Sequence, residues 1–68
     1  MDRVDTRGMS CPQPVLMTKK AIANNPKDLE ILVDNNTAKN NVSRFLEHAG
    51  YTFQINEGNE DFVIRATK

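Results

Sequence analysis

The sequence is poor in the residues from which most reactive sites are built. It holds one cysteine, Cys11, and one histidine, His48, in 68 residues. A single thiol excludes an internal disulfide, a Cys-x-x-Cys redox pair and any multi-cysteine metal site. No metal and no cofactor is therefore expected. A Cys–His catalytic dyad would need His48 beside Cys11, and the three dispersed glycines offer no glycine-rich loop for a phosphate. An excess of either charge is also missing: nine basic and nine acidic residues give a formal net charge of zero. Nucleic-acid binding rests on positive charge set against phosphates, so direct binding of RNA or DNA is not expected. Neither a signal peptide nor an apolar run long enough to span a bilayer is present, and a soluble cytoplasmic chain without membrane association is expected. With no repeat, linker or low-complexity segment, and with 38% hydrophobic residues, residues 1–68 read as a single domain with a modest core.

What the chain does have is concentrated near its start. Gly8-Met9-Ser10-Cys11-Pro12-Gln13-Pro14 gathers the cysteine, two of the three prolines and one glycine. Proline is tolerated in the first turn of a helix, where its missing N–H has no intrahelical partner to lose. Pro12 at the first helical position and Pro14 at the third put Cys11 at the N-cap. The donors left near the sulfur are then mainly the N–H groups of Gln13 and Val15. A helix N-terminus favours an anion, and a thiol there has a lowered pKa and a larger fraction in the nucleophilic thiolate form. The residues alone leave two readings open: a reactive, exposed thiol, or a small buried apolar residue.

Periodicity orders the remainder. Arg3-Val4-Asp5 is a short first strand, and Thr6 to Ser10 form a loop in which Gly8 allows a tight approach. A first helix is predicted from Pro12 to Asn24, with Val15, Thr18 and Ile22, flanked by Leu16 and Ala21, facing inward and Met17 facing solvent. Pro26 stops it. Leu29, Ile31 and Val33 form a second strand, with Leu32 on its opposite face. Ala38, Val42, Phe45, Leu46 and Ala49 make one apolar helical stripe, capped by Asn36 or Thr37 and closed by Gly50. Tyr51, Phe53 and Ile55 alternate as strand three, Glu57-Gly58-Asn59-Glu60 connects a hairpin, and Phe62 to Thr67 is strand four. The order βαβαββ gives an α+β fold, a two-layer α/β sandwich. Strands one to three run parallel, strand four runs antiparallel, and both helices lie on one face of the sheet. Leu32 and Val63 are expected on the other, uncovered face.

Val4-Asp5-Thr6-Arg7-Gly8-Met9-Ser10-Cys11-Pro12-Gln13-Pro14 resembles the signature of the TusA/SirA-like sulfur-carrier family: a strand, Asp-x-Arg-Gly, then Cys-Pro-x-Pro. The resemblance continues through Leu32-Val33-Asp34-Asn35, Asn41-Val42-Ser43-Arg44-Phe45 and Gly50-Tyr51. In its second half the chain is most similar to the N-terminal domain of YedF-type proteins of selenium metabolism. Where TusA-type members tend to carry Asp-Asp-Pro, this chain has Asp34-Asn35-Asn36. The resemblance implies a four-stranded mixed sheet in the order 1-2-4-3. It also implies a carrier that takes sulfur as a persulfide on Cys11 from a donor such as a cysteine desulfurase. An acceptor protein would take the sulfur onward in a relay linked to selenium metabolism or tRNA thiolation. Arg7, Gly8, Pro12, Gln13 and Pro14 support the cysteine in that motif.

Other candidates are weighed on their chemistry. Asp34 and Asn35 follow strand two at the end of the sheet that carries Cys11 and form a candidate second wall, although turning the chain and capping the second helix account for the larger part of their role. Arg7 is placed to stabilise a thiolate or persulfide, or else to pair with Asp5 or Asp34. Lys19 and Lys20 suit the end of the first helix and are candidates for docking. His48, in the last turn of the second helix, is expected far from Cys11. Two other functions compete with the carrier. One is a non-catalytic module contacting RNA, by analogy with the βαβαββ C-terminal domain of a bacterial translation initiation factor. The other is a regulatory domain belonging to a longer chain, since YedF-type proteins carry a second domain.

Overall fold

The computed structural model describes residues 2–9, 13–58 and 61–68. The first strand, β1, is Asp2–Asp5. Helix α1 spans Gln13–Ala21 and tightens into a 3₁₀ turn over Ile22–Asn24. Then follow β2 at Asp28–Val33, α2 at Asn36–His48, β3 at Thr52–Glu57 and β4 at Phe62–Thr67. The sheet order is β1-β2-β4-β3, with β1 parallel to β2 and β4 antiparallel to both of its neighbours. This is the α+β layout expected from the pattern and the resemblance together.

One core joins the layers. Leu29, Ile31 and Val33 of β2 and Ile64 and Ala66 of β4 pack with Ala38, Val42 and Leu46 of α2, while Val15, Ala21 and Ile22 from the first helical segment pack against the same cluster. Both helices therefore cover one sheet face. On the other face the register aligns Arg3, Glu30, Arg65 and Gln54 in one row and Asp5, Leu32, Val63 and Asn56 in the next. Leu32 lies on that face as expected, yet it is only 8% exposed.

Several expectations need correction. The α-helical part of the first helix ends at Ala21, short of Asn24. Asn25 turns left-handed at φ 53° and donates its N–H to the Ile22 carbonyl at 2.9 Å. The following Pro26 disfavours helical geometry at residue 25, and asparagine tolerates the left-handed region. Leu16 is 45% exposed and Met17 half-buried. Two positions along a helix amount to about 200°, so Leu16 cannot share the face of buried Thr18. The N-cap of α2 is Asn35, not Asn36 or Thr37: its extended backbone precedes the first helical turn and its Oδ1 accepts the Ala38 N–H at 2.7 Å. Gly50 takes the left-handed stop at φ 92° as expected. Tyr51 lies before β3, buried, with its hydroxyl donating to the Pro26 carbonyl at 2.8 Å. Ile55 pairs with buried Ile64 and so lies on the helix-covered face, but it is 37% exposed because β3 is an edge strand that lacks a neighbour on one side. The hairpin connection at Asn59 and Glu60 lies outside the described residues.

Candidate functional site

The ends of β1 and β2, the starts of α1 and α2 and the residue before β4 meet at one end of the sheet. Thr6 leaves β1 buried, and both its N–H and its Oγ1 donate to the Leu32 carbonyl on β2. The Met9 N–H donates to the Thr6 carbonyl at 3.2 Å, closing a tight turn. That turn needs a positive φ, and Gly8 supplies it at 80°. Among the described residues beyond its two chain neighbours, a side chain at residue 8 would meet no atom within 4 Å, and the positive φ alone favours glycine there.

The Gly8 N–H donates to the Asp34 carboxylate at 2.7 Å. The other Asp34 oxygen accepts from Asn35 Nδ2 at 3.0 Å. Asn35 in turn caps α2 through Ala38. The Asp34-Asn35 pair thus links the turn after β1 to the start of the second helix. Arg7, expected either at a thiolate or against Asp5 or Asp34, is gripped by Asp5 and Asp61. Its Nε and Nη2 donate to the two Asp5 oxygens at 3.0 and 2.8 Å, its backbone N–H to Asp5 at 3.1 Å, and its Nη1 to Asp61 at 3.2 Å. The side-chain and backbone hydrogen bonds from Arg7 hold the Asp5 carboxyl down at about 2. The same pair of carboxylates pushes the Arg7 guanidinium up. Because β2 lies between β1 and β4, this ion triad crosses the end of β2, on the face that carries Leu32.

On the helix side, exposed Gln13 opens α1 and Pro14 is buried, its carbonyl accepting the Thr18 hydroxyl at 2.8 Å. Cys11, its expected N-cap position, and Pro12 lie outside the described residues. Lys19 and Lys20 close the helix as expected. Gln13, Leu16, Met17, Lys19, Lys20 and Ala23 line a shallow depression of about 490 Å³ on its outward side. Exposed His48 ends α2, about 18 Å along the helix from Asn36 at 1.5 Å per residue. Among the described residues, no three His, Cys, Asp or Glu side chains gather where a metal could bind. No helix among them is long and apolar enough to cross a membrane. Sequence reasoning missed Asp61, whose contact with Arg7 spans 54 positions and depends on β4 inserting between β2 and β3.

A family model described as sulfurtransferase TusA matches residues 2–68. A Methanocaldococcus jannaschii protein named as a proposed sulfur carrier is 42% identical over 62 residues, covering 88% of this chain and 83% of that one. The crystal structure of a SirA-like protein from Desulfitobacterium hafniense superposes with a TM-score of 0.88 at 28% identity, covering 98% of this chain and 96% of the other.

Proposed function

This chain belongs to the sulfurtransferase TusA family, and on that premise we propose that residues 1–68 act as a single carrier domain that holds sulfur as a persulfide on Cys11. One coincidence supports the reading most. The family match covers residues 2–68, and the only thiol within it, Cys11, stands in Cys-Pro-x-Pro two positions before the first residue of α1, Gln13. A helix start favours an anion, and the persulfide chemistry begins from one.

The Cys11 thiolate attacks the terminal sulfur of a donor persulfide of the cysteine desulfurase class. An S–S bond forms at Cys11 as the donor's S–S bond breaks, and the donor sulfur leaves as a thiolate that takes up the proton Cys11 gave away. An acceptor thiolate then attacks the terminal sulfur of the Cys11 persulfide, and Cys11 leaves as thiolate. The transferred sulfur keeps its oxidation state in both steps, so neither needs an oxidant or a reductant. In this reading Arg7 and Gly8 hold the turn before the motif, Gln13 and Pro14 open the helix after it, Pro12 supports Cys11 as a residue of the motif, and Asp34 with Asn35 serves as the second wall, tied to the turn through the Gly8 N–H. Donor and acceptor meet the outward side of α1, where exposed Leu16 lies beside Lys19 and Lys20.

Cyanide lability tests the reading. After incubation with a cysteine desulfurase and L-cysteine, cyanide should release thiocyanate from the wild-type chain in equal amount to the chain, and none from Cys11→Ser. Equal release from both would remove Cys11 from the account.

A further inference from the structure

The anchors of the turn after β1 differ in reach. Thr6 is tied to β2 through the Leu32 carbonyl and Gly8 to Asp34 at the start of the β2–α2 connection. Arg7, between them, makes three hydrogen bonds to Asp5, two residues back. Those bonds tie Arg7 to the end of β1, where Asp5 pairs with Leu32 of β2. Among the described residues, the contact from Nη1 to Asp61 at 3.2 Å alone fixes the Arg7 side chain to a distant part of the fold. Asp61 is itself held, its carbonyl accepting the Gly58 N–H at 2.7 Å across the β3–β4 connection, and it directly precedes β4.

Stability does not account for this contact. Arg7 and Asp61 are both solvent-accessible, with side-chain exposures of 47% and 29%, and an ion pair of that kind contributes little to folding. What it does supply is direction. The guanidinium is a planar fork with fixed donor angles, and holding it on two edges fixes its plane. With Arg7 held from both sides, the turn after β1 has an anchor beside the start of β4 as well as those on β1 and β2.

We infer that Asp61 is a positioning residue for sulfur transfer: acting through Arg7, it fixes the segment that presents Cys11 to the partner's sulfur. The inference rests on the carrier reading of Cys11. Misplacement of a reacting group by about 1 Å costs up to about 100-fold in rate, so a partial loosening should be visible in transfer. It should not be visible in attack on a small, freely diffusing reagent.

The test compares Asp61→Asn, Asp61→Glu, Arg7→Gln and the Arg7→Gln/Asp61→Asn double variant with the wild type. Single-turnover sulfur transfer from a persulfide-loaded cysteine desulfurase is measured at saturation, together with alkylation by iodoacetamide and amide exchange at Gly8 and Met9. Asp61→Asn should slow saturated transfer by about threefold to tenfold, leave alkylation unchanged and speed exchange at both amides. Asp61→Glu should recover most of the transfer rate. The double variant should be no slower than Arg7→Gln alone, because both substitutions break the same link. Wild-type transfer by Asp61→Asn, losses that multiply in the double variant, or unchanged amide exchange would each overturn the inference. Failure of the wild type to accept sulfur would end the carrier reading and its transfer role for Asp61 together. Amide exchange would then still decide whether Asp61 fixes the turn.

Discussion

Asp5 shows how one residue's chemistry follows from its neighbours. Its carboxyl drops from 3.8 to about 2, chiefly through the side-chain hydrogen bond from Arg7 and then through the Arg7 backbone N–H. A folded-state value below the unfolded one means the interaction stabilises the fold fully above about pH 4. That stabilisation is lost as pH falls toward 2. Both partners are exposed, so salt screens the effect. NMR titration of the Asp5 carboxyl should give a midpoint near 2 in the wild type and a return toward the ordinary value in Arg7→Gln. A wild-type midpoint at the ordinary value would mean the triad does not persist in solution. At this scale the sequence was partly legible. Asp5 is two residues from Arg7 in the chain, and its pairing was among the expectations. Asp61 was not: it lies 54 positions from Arg7, and the strand order implied by the resemblance puts β4 beside β2 without fixing which residue meets Arg7.

Among the elements, α2 was the most legible, since Ala38, Val42 and Leu46 repeat at helical spacing and all three reach the core. The apolar stripe points to Asn36 or Thr37 as its cap, while capping is also weighed for Asn35. Asn35, Asn36 and Thr37 are all acceptable caps, and the choice falls to the residue still extended after β2, which is Asn35. Asn35→Ala should lower stability by about 1 kcal/mol in chemical denaturation, whereas Asn36→Ala should stay within about 0.5 kcal/mol of wild type. Equal losses would mean that the cap shifts. The first helix was harder to read because its inward stripe contains Thr18, a polar residue that is fully buried and satisfied by the Pro14 carbonyl. The exposure of Ile55 was not legible from alternation, which assigns a face but not whether that face is covered at the sheet edge.

For the whole molecule, the alternation of strands and helices gave the element order and the strand directions, while the order 1-2-4-3 came from the family resemblance. Composition gave a neutral chain, and the structure distributes that neutrality. On the open sheet face Arg3 and Arg65 share a row with Glu30, which lies 3.8 Å from the Arg3 guanidinium. No basic stripe forms along that row, so binding to duplex DNA or single-stranded RNA should stay no tighter than the micromolar range and show little salt dependence, as measured by fluorescence anisotropy. Submicromolar affinity falling steeply with salt would favour the RNA-contacting alternative over a carrier. The central claim, that Cys11 carries the sulfur, is tested most directly by intact mass spectrometry after incubation with a cysteine desulfurase and L-cysteine. Wild type should gain the mass of one sulfur atom, lost on reduction, and Cys11→Ser should gain nothing; the same adduct on Cys11→Ser, or none on wild type, would contradict the account.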